Sequence, residues 1–201
     1  MKVLVVYYSM YGNVYKMAKL VAEGIGEVAG AKAVVRRVPE LVPDSVIESR
    51  DDLKAGRDMQ HDVPLVTLDD FREADAIAFG TPTRYGNVTA QLKNQIDQLG
   101  GLWVEGVFEG KAAGVFTSSN TPHGGQETTA LTLMAPLLHL GFVIVGLPYS
   151  NQELFTTKGG GTPYGPSHVA GPDSQRDIDA DEATLCRSWG RRLAQIGLKL
   201  R

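Results

Sequence analysis

Hydrophobic positions along this chain fall into two alternating rhythms. Val3 to Tyr8 is an unbroken apolar run with β-branched content that stops at Ser9, the signature of a strand buried on both faces in a parallel sheet. From Val14 the period changes, and Val14, Met17, Ala18, Val21, Ala22 and Ile25 share one stripe of an amphipathic helix. After a turn over Gly26 to Gly30, Lys32 to Val38 supplies a second strand, ended by Pro39. A βαβ unit of this kind is right-handed, with parallel strands. Thr67 to Ala74 reads as a short helix with Thr67 at its N-cap and Asp69 and Asp70 in its first turn. Ala76 to Gly80 is a third strand, and Leu92, Ile96 and Leu99 mark a helix that Gly100-Gly101 closes. Ala112 to Phe116 is a fourth strand, Gln126 to Leu140 a helix interrupted by Pro136, and Phe142 to Val145 a fifth strand. Asp181 to Ile196, with Leu185, Trp189, Leu193 and Ile196 on one stripe, closes the chain as a helix.

Two stretches break the rhythm. Residues 40–66 are polar, acidic and weakly patterned, with Pro39, Pro43 and Pro64 around them; residues 147–179 carry Gly159-Gly160-Gly161 and several prolines. Both exceed the few residues usual between such elements, so they read as insertions: lids, oligomer contacts or solvated loops. The remainder describes a single α/β domain over residues 1–201, an open, twisted, five-stranded parallel sheet of order 2-1-3-4-5 with helices on both faces.

Unusual chemistry sits where three strands end. The first loop, Ser9-Met10-Tyr11-Gly12-Asn13, enters a helix, whose N-terminus offers unpaired N–H groups and roughly +0.5 charge to an anion. Ser9, Tyr11 and Asn13 add side-chain donors, and no Lys or Arg lies between Ser9 and Tyr15. Neither GxxxxGK[ST] nor GxGxxG is present, which disfavours a nucleoside triphosphate or dinucleotide site and suits the terminal phosphate of a mononucleotide. A plain helix start capped by Asn13 fits the same residues. Thr81 to Asn87 and Thr117 to Gly125 are equally polar loops after the third and fourth strands. In the 2-1-3-4-5 order all three meet at the C-terminal edge of the sheet, where ligands bind, and that conjunction favours the phosphate site.

Composition narrows the function. A net charge of −3 over 201 residues lacks the basic surplus of a nucleic-acid binder. Cys186 is the one cysteine and reads as a packed thiol, while His61, His123, His139 and His168 lack metal-ligand spacing. No apolar stretch approaches the ~20 residues of a membrane span, and the expected location is the cytoplasm.

The motifs YYSMYGN, FGTPTRYGN, GGLW, FTSSNTPHGGQETT, QELF and GGTPYG, spread over nearly the whole chain, resemble the WrbA-like flavoproteins. These are FMN-dependent NAD(P)H:quinone oxidoreductases of flavodoxin-like fold. The resemblance implies FMN as cofactor, NADH or NADPH as donor, a quinone as acceptor, and a homotetramer with active sites between subunits; it also matches the two insertions to additions in that family. It implies a phosphate loop of Ser9, Met10, Tyr11, Gly12, Asn13 and Val14, with Tyr11 also associated with the nicotinamide cofactor. Pro82, Thr83, Arg84, Tyr85 and Gly86 would flank the flavin ring, with Ser118, Ser119, Asn120, Thr121, Pro122 and His123 forming a third loop. That third loop is bulkier here than the Gly-rich or Thr-Gly form frequent in the family. His139 matches a flavin-proximal histidine, and Trp103 a residue at the substrate pocket of a neighbouring active site. On pattern alone, His139 among Leu137, Leu138 and Leu140 reads as a core histidine, and His123 and His168 as surface residues.

Two functions remain after this reading. One is the quinone oxidoreductase, without a protein nucleophile because hydride transfer occurs at the flavin; azo-dye and free-flavin reductases lie chemically close to it. The other is a flavodoxin-type carrier exchanging single electrons with no small substrate, against which the modest net charge and the insertions argue. A phosphoacceptor receiver domain needs carboxylates where this chain has Tyr8-Ser9 and Gly80-Thr81.

Overall fold

The computed structural model describes all residues from Met1 to Arg201. Strands β1 (Lys2–Tyr7), β2 (Lys32–Arg37), β3 (Ala76–Pro82), β4 (Ala112–Ser119) and β5 (Val143–Ile144) form a parallel sheet in the order β2-β1-β3-β4-β5. Side chains alternate across β1: Leu4, Val6 and Tyr8 enter one core with Ile77, Phe79 and Val115, while Val3, Val5 and Tyr7 enter the other. The second core is closed by α1 (Asn13–Gly26) and by α9 (Ala180–Leu200), whose Leu185, Trp189 and Leu193 are fully buried. These helices meet backbone to backbone. A Cβ on Gly190 would lie 2.3 Å from the Val21 carbonyl oxygen, and one on Gly24 2.0 Å from that of Arg187. Trp189 reaches the sheet over Gly114 and donates its indole N–H to the Val145 carbonyl at 2.9 Å.

The other face carries α4 (Leu68–Glu73), α5 (Ala90–Asp97), α6 (Gly100–Val104) and α7 (Gln126–His139). Thr67 caps α4, as its sequence predicts, and the cap is a reciprocal capping box with Asp70. Gly100 and Gly101 do not end a helix but open α6, and Pro136 sits inside a continuous α7.

The insertions are more regular than their composition predicts. Residues 40–66 contain α2 (Asp44–Glu48) and α3 (Asp51–Asp58), then return along the open edge of β2, where Val66 donates its N–H to the Arg37 carbonyl at 2.9 Å. That return leaves less of the edge strand open to a foreign strand. The second insertion contains α8 (Glu153–Thr156) and rejoins the sheet through a sixth strand, β6 (Ser167–Val169), absent from the five-strand expectation. Its residues pair with Thr117 to Ser119, whereas β5 pairs with Ala112 and Ala113, so β5 and β6 lie end to end along one edge of β4.

Candidate functional site

The first loop is shaped by what its backbone leaves unpaired. Gly12, at φ 87°, takes the N-cap position of α1, and no side chain caps the helix. The amide groups from Met10 to Tyr15 donate to no acceptor in the chain, and the Ser9 hydroxyl has no protein partner. The Asn13-capping alternative therefore fails: Asn13 Nδ2 donates instead to the Ser174 carbonyl at 2.9 Å. One of its two side-chain N–H groups thus ties the loop to the second insertion, while the other and the backbone amide have no acceptor in the chain.

The second loop is held by hydroxyls. Thr83 Oγ1 accepts the Gly86 N–H at 3.1 Å and the Thr129 hydroxyl at 2.8 Å, while the Thr83 N–H donates to the Ser118 carbonyl at 2.8 Å. Arg84 bridges to the first loop, donating through Nη2 to the Met10 sulfur at 3.3 Å and through Nη1 to the Thr83 carbonyl at 2.9 Å. In the third loop the Ser119 hydroxyl donates to the Thr121 carbonyl at 2.8 Å, and Gln126 Nε2 to that of Pro122 at 2.7 Å. Ser174 ties this loop to the first, because its hydroxyl donates to Asn120 Oδ1 at 3.1 Å while its carbonyl holds Asn13.

Between the loops lies a cleft of about 440 Å³, within the usual size of small-molecule sites. Ser9, Met10, Tyr11, Asn13, Val14, Pro82, Thr83, Arg84, Ser118, Ser119, Asn120 and Thr121 all line it, and Arg84 is the only charged side chain among the lining residues. Gly12, Tyr85 and Gly86 belong to the same loops without lining the cleft; Tyr85 is fully exposed, at φ 53°. Pro122 and His123 face a separate hollow beside Glu127 and Gly161. His139 and Trp103 are both exposed and line a third hollow of about 480 Å³ with Ile96, Pro136 and Leu140. Within one chain these two residues thus stand together, outside the cleft.

Three further residues make buried polar contacts to which the sequence reading gave no role. Gln60, buried below α3, donates to the Ser9 carbonyl at 2.7 Å. Glu182, fully buried in α9, gathers N–H donors from Gly160, Val169, Asp179, Arg176 and His168 Nδ1, the last at 2.9 Å. Its desolvation opposes ionisation, but His168 and the backbone donors outweigh it and hold the carboxyl down at about 2. His168 is correspondingly a buried residue of β6 and not a surface one. The sequence signal for Glu182 was its spacing from Asp179, with which it forms the capping box of α9. Tyr8, behind the first loop, donates to Glu40 at 2.8 Å; burial, then that contact, pushes its hydroxyl well above the usual phenol range. No helix is long and apolar enough to cross a membrane.

The chain is similar to several known proteins. A family model described as NADPH-dependent FMN reductase matches residues 1–154. A protein named NAD(P)H dehydrogenase (quinone) from Geobacter sulfurreducens is 50% identical over 202 residues, covering 100% of this chain and 99% of that protein. One of the same name from Methanosarcina acetivorans is 46% identical over 205 residues, covering 99% and 98%. Among solved structures, a flavodoxin, WrbA-like protein from Agrobacterium tumefaciens superposes with a TM-score of 0.69 at 24% identity, over 100% of this chain and 99% of that one. Oxidised Flavodoxin 2 from Bacillus cereus gives 0.63 at 16% identity over 97% and 99%, and these two likenesses establish the flavodoxin-like fold.

Proposed function

Because the chain belongs to the NADPH-dependent FMN reductase family, we propose that it is an FMN-dependent NAD(P)H:quinone oxidoreductase acting in the cytoplasm. The observation that carries the reading is the pairing, in one cleft, of an acceptor-free run of amides from Met10 to Tyr15 with a single cation, Arg84.

The residues present fit FMN. Unpaired N–H groups at the start of α1, joined by the Ser9 hydroxyl, suit a phosphate dianion. Pro82, Thr83 and Arg84 form one wall of the cleft and Ser118 to Thr121 another, places suited to the flavin ring. Bound FMN supplies acceptance of hydride from NAD(P)H and its delivery to quinone. The chain's part is to bind, orient and bias. Arg84, anchored between Thr83 and Met10, is the cation of the cleft and would favour the negative charge that two-electron reduction leaves on a flavin held there. No carboxylate lines the cleft to oppose it, a distribution that favours the oxidoreductase over a single-electron carrier.

Purified protein is expected to release FMN on denaturation and, when loaded, to oxidise NAD(P)H with quinone in ping-pong kinetics, since donor and acceptor use one cleft in turn. Arg84→Ala is expected to slow flavin reduction by NAD(P)H about tenfold, a loss of ~1.4 kcal/mol, and Arg84→Lys to keep part of the rate. Rapid-mixing spectroscopy of the flavin band reads this step. FMN-loaded protein that reduces quinones negligibly with NAD(P)H, yet exchanges single electrons with protein partners, is a carrier and overturns the reading.

We further propose a homotetramer in which Trp103 and His139 reach the cleft of a neighbouring subunit. The support is the exposure of Trp103 beside His139 in that third hollow, with Val104 of α6 and Leu131 and Leu138 of α7 also exposed: large apolar side chains on two neighbouring helices that a partner subunit would cover. Light scattering of the FMN-loaded protein is expected to give four times the 21.7 kDa chain mass. A monomer at micromolar concentration overturns both the assembly and the roles given to Trp103 and His139.

A further inference from the structure

We propose that Gln60, in the first insertion, is a positioning residue for the anion loop: by holding the Ser9 carbonyl on the far side of the loop, it keeps the Met10 amide turned into the cleft. This rests on the reading of residues 9–14 as the FMN phosphate site. A trans peptide directs its C=O and N–H to opposite sides, so whatever grips the Ser9 oxygen also aims the Met10 N–H. Gln60 grips it from behind. Its buried Nε2 donates to the Ser9 carbonyl at 2.7 Å and to the Gly56 carbonyl at 2.8 Å, which uses both amide hydrogens. The next peptide is held by packing: a Cβ on Gly56 would lie 2.1 Å from the Met10 oxygen, so the backbone of α3 rests directly on the loop. Met59 of the same insertion fills the space beside Gly12, where a Cβ would meet its sulfur at 2.7 Å.

The loop also has somewhere to turn. A cavity of about 200 Å³ lies on the side where Gln60 stands, and Ser9 and Met10 line both it and the cleft. Without Gln60 the Ser9 carbonyl loses its donor while buried, an unfavourable state that is relieved when the peptide rotates. Rotation replaces an N–H facing the phosphate by a carbonyl oxygen. A dianion suffers from that exchange, whereas a ligand without a phosphate does not.

The test compares FMN with riboflavin in the wild type, Gln60→Met and Gln60→Glu, with the phosphorus magnetic resonance shift of bound FMN as a second readout. Gln60→Met keeps the side-chain length and removes the donor. It is expected to weaken FMN about tenfold or more, to leave riboflavin within about twofold, and to move the phosphorus shift. Gln60→Glu sets a carboxylate against two carbonyls and is expected to act in the same direction and more strongly; it also serves if Gln60→Met fails to fold. Equal losses for the two ligands, or an unchanged phosphorus shift in a folded variant, overturn the positioning role and leave the phosphate site standing. A wild type that binds FMN and riboflavin equally removes the phosphate site itself, and the proposal with it.

Discussion

Glu182→Ala is expected to cost about 3–5 kcal/mol of folding free energy, the range for removing one partner of a buried ion pair. The carboxylate has no exposure and gathers donors from Gly160 in the glycine run, Val169 and His168 in β6, Arg176, and Asp179 at the start of α9. Removing it leaves the Gly160 and Val169 amides and His168 Nδ1 buried without an acceptor. The same residue predicts the acid limit of the fold. Its carboxyl is held down to about 2 in the folded chain from the ordinary 4.5, so its contribution is complete above about pH 4.5 and lost as pH falls toward 2. At ~1.4 kcal/mol per pKa unit that contribution is on the order of 3 kcal/mol, consistent with the mutational figure. Urea denaturation of wild type and Glu182→Ala at several pH values measures both effects. The variant is expected to start lower and to show a flatter decline between pH 4.5 and 2. Equal stability at pH 7, or parallel pH profiles, would mean that the pair contributes nothing net.

Strands and helices that bury a regular stripe were legible in the sequence. The switch from the Val3–Tyr8 run to the Val14–Ile25 stripe fixes β1 and α1, because both periods follow from burial against a common core. The strand order, and with it the meeting of three loops, follows from the alternation of elements. Structure without such a stripe was not legible. The α3 helix buries only Leu53 and Gly56 along its length, and β6 is Ser-His-Val, held by pairing with β4 and by Glu182 more than by apolar surface.

Residues acting through long-range polar contacts were equally hidden. Gln60 reaches a backbone oxygen of Ser9 in the first loop, and Ser174 joins Asn13 to Asn120 from the second insertion. No local spacing encodes either contact. Asn13 looked like a cap because its type and position suit one, yet a partner in the second insertion claimed its amide and Gly12 took the N-cap position. Trp103 and His139 drew attention only through the resemblance, and within one chain nothing connects them to the cleft.

Riboflavin is expected to bind at least a hundredfold more weakly than FMN, and Ser9→Ala to weaken FMN about tenfold or more without weakening riboflavin. The phosphate is the only difference between the two ligands, so the comparison isolates the loop from the ring-binding walls. Amides from Met10 to Tyr15 and the Ser9 hydroxyl have no competing partner in the chain, and hydrogen bonds to a charged acceptor contribute ~1.5–3 kcal/mol each. A hundredfold ratio corresponds to ~2.7 kcal/mol, less than two such bonds, and leaves ample allowance for stripping water from the dianion. Neutral donors also set the salt response. Arg84 is the sole cation lining the cleft, so FMN affinity should fall only slightly as ionic strength rises, unlike a site built on several Lys or Arg side chains. Affinity should instead fall as pH drops below ~6, where the phosphate takes up its second proton and offers the loop one charge fewer. Calorimetric titration of both flavins across pH and salt reads all of these at once. Equal losses of FMN and riboflavin in Ser9→Ala would place that hydroxyl outside the phosphate site, and a steep salt dependence would mean that cations beyond the cleft, and not the amides of the first loop, hold the dianion.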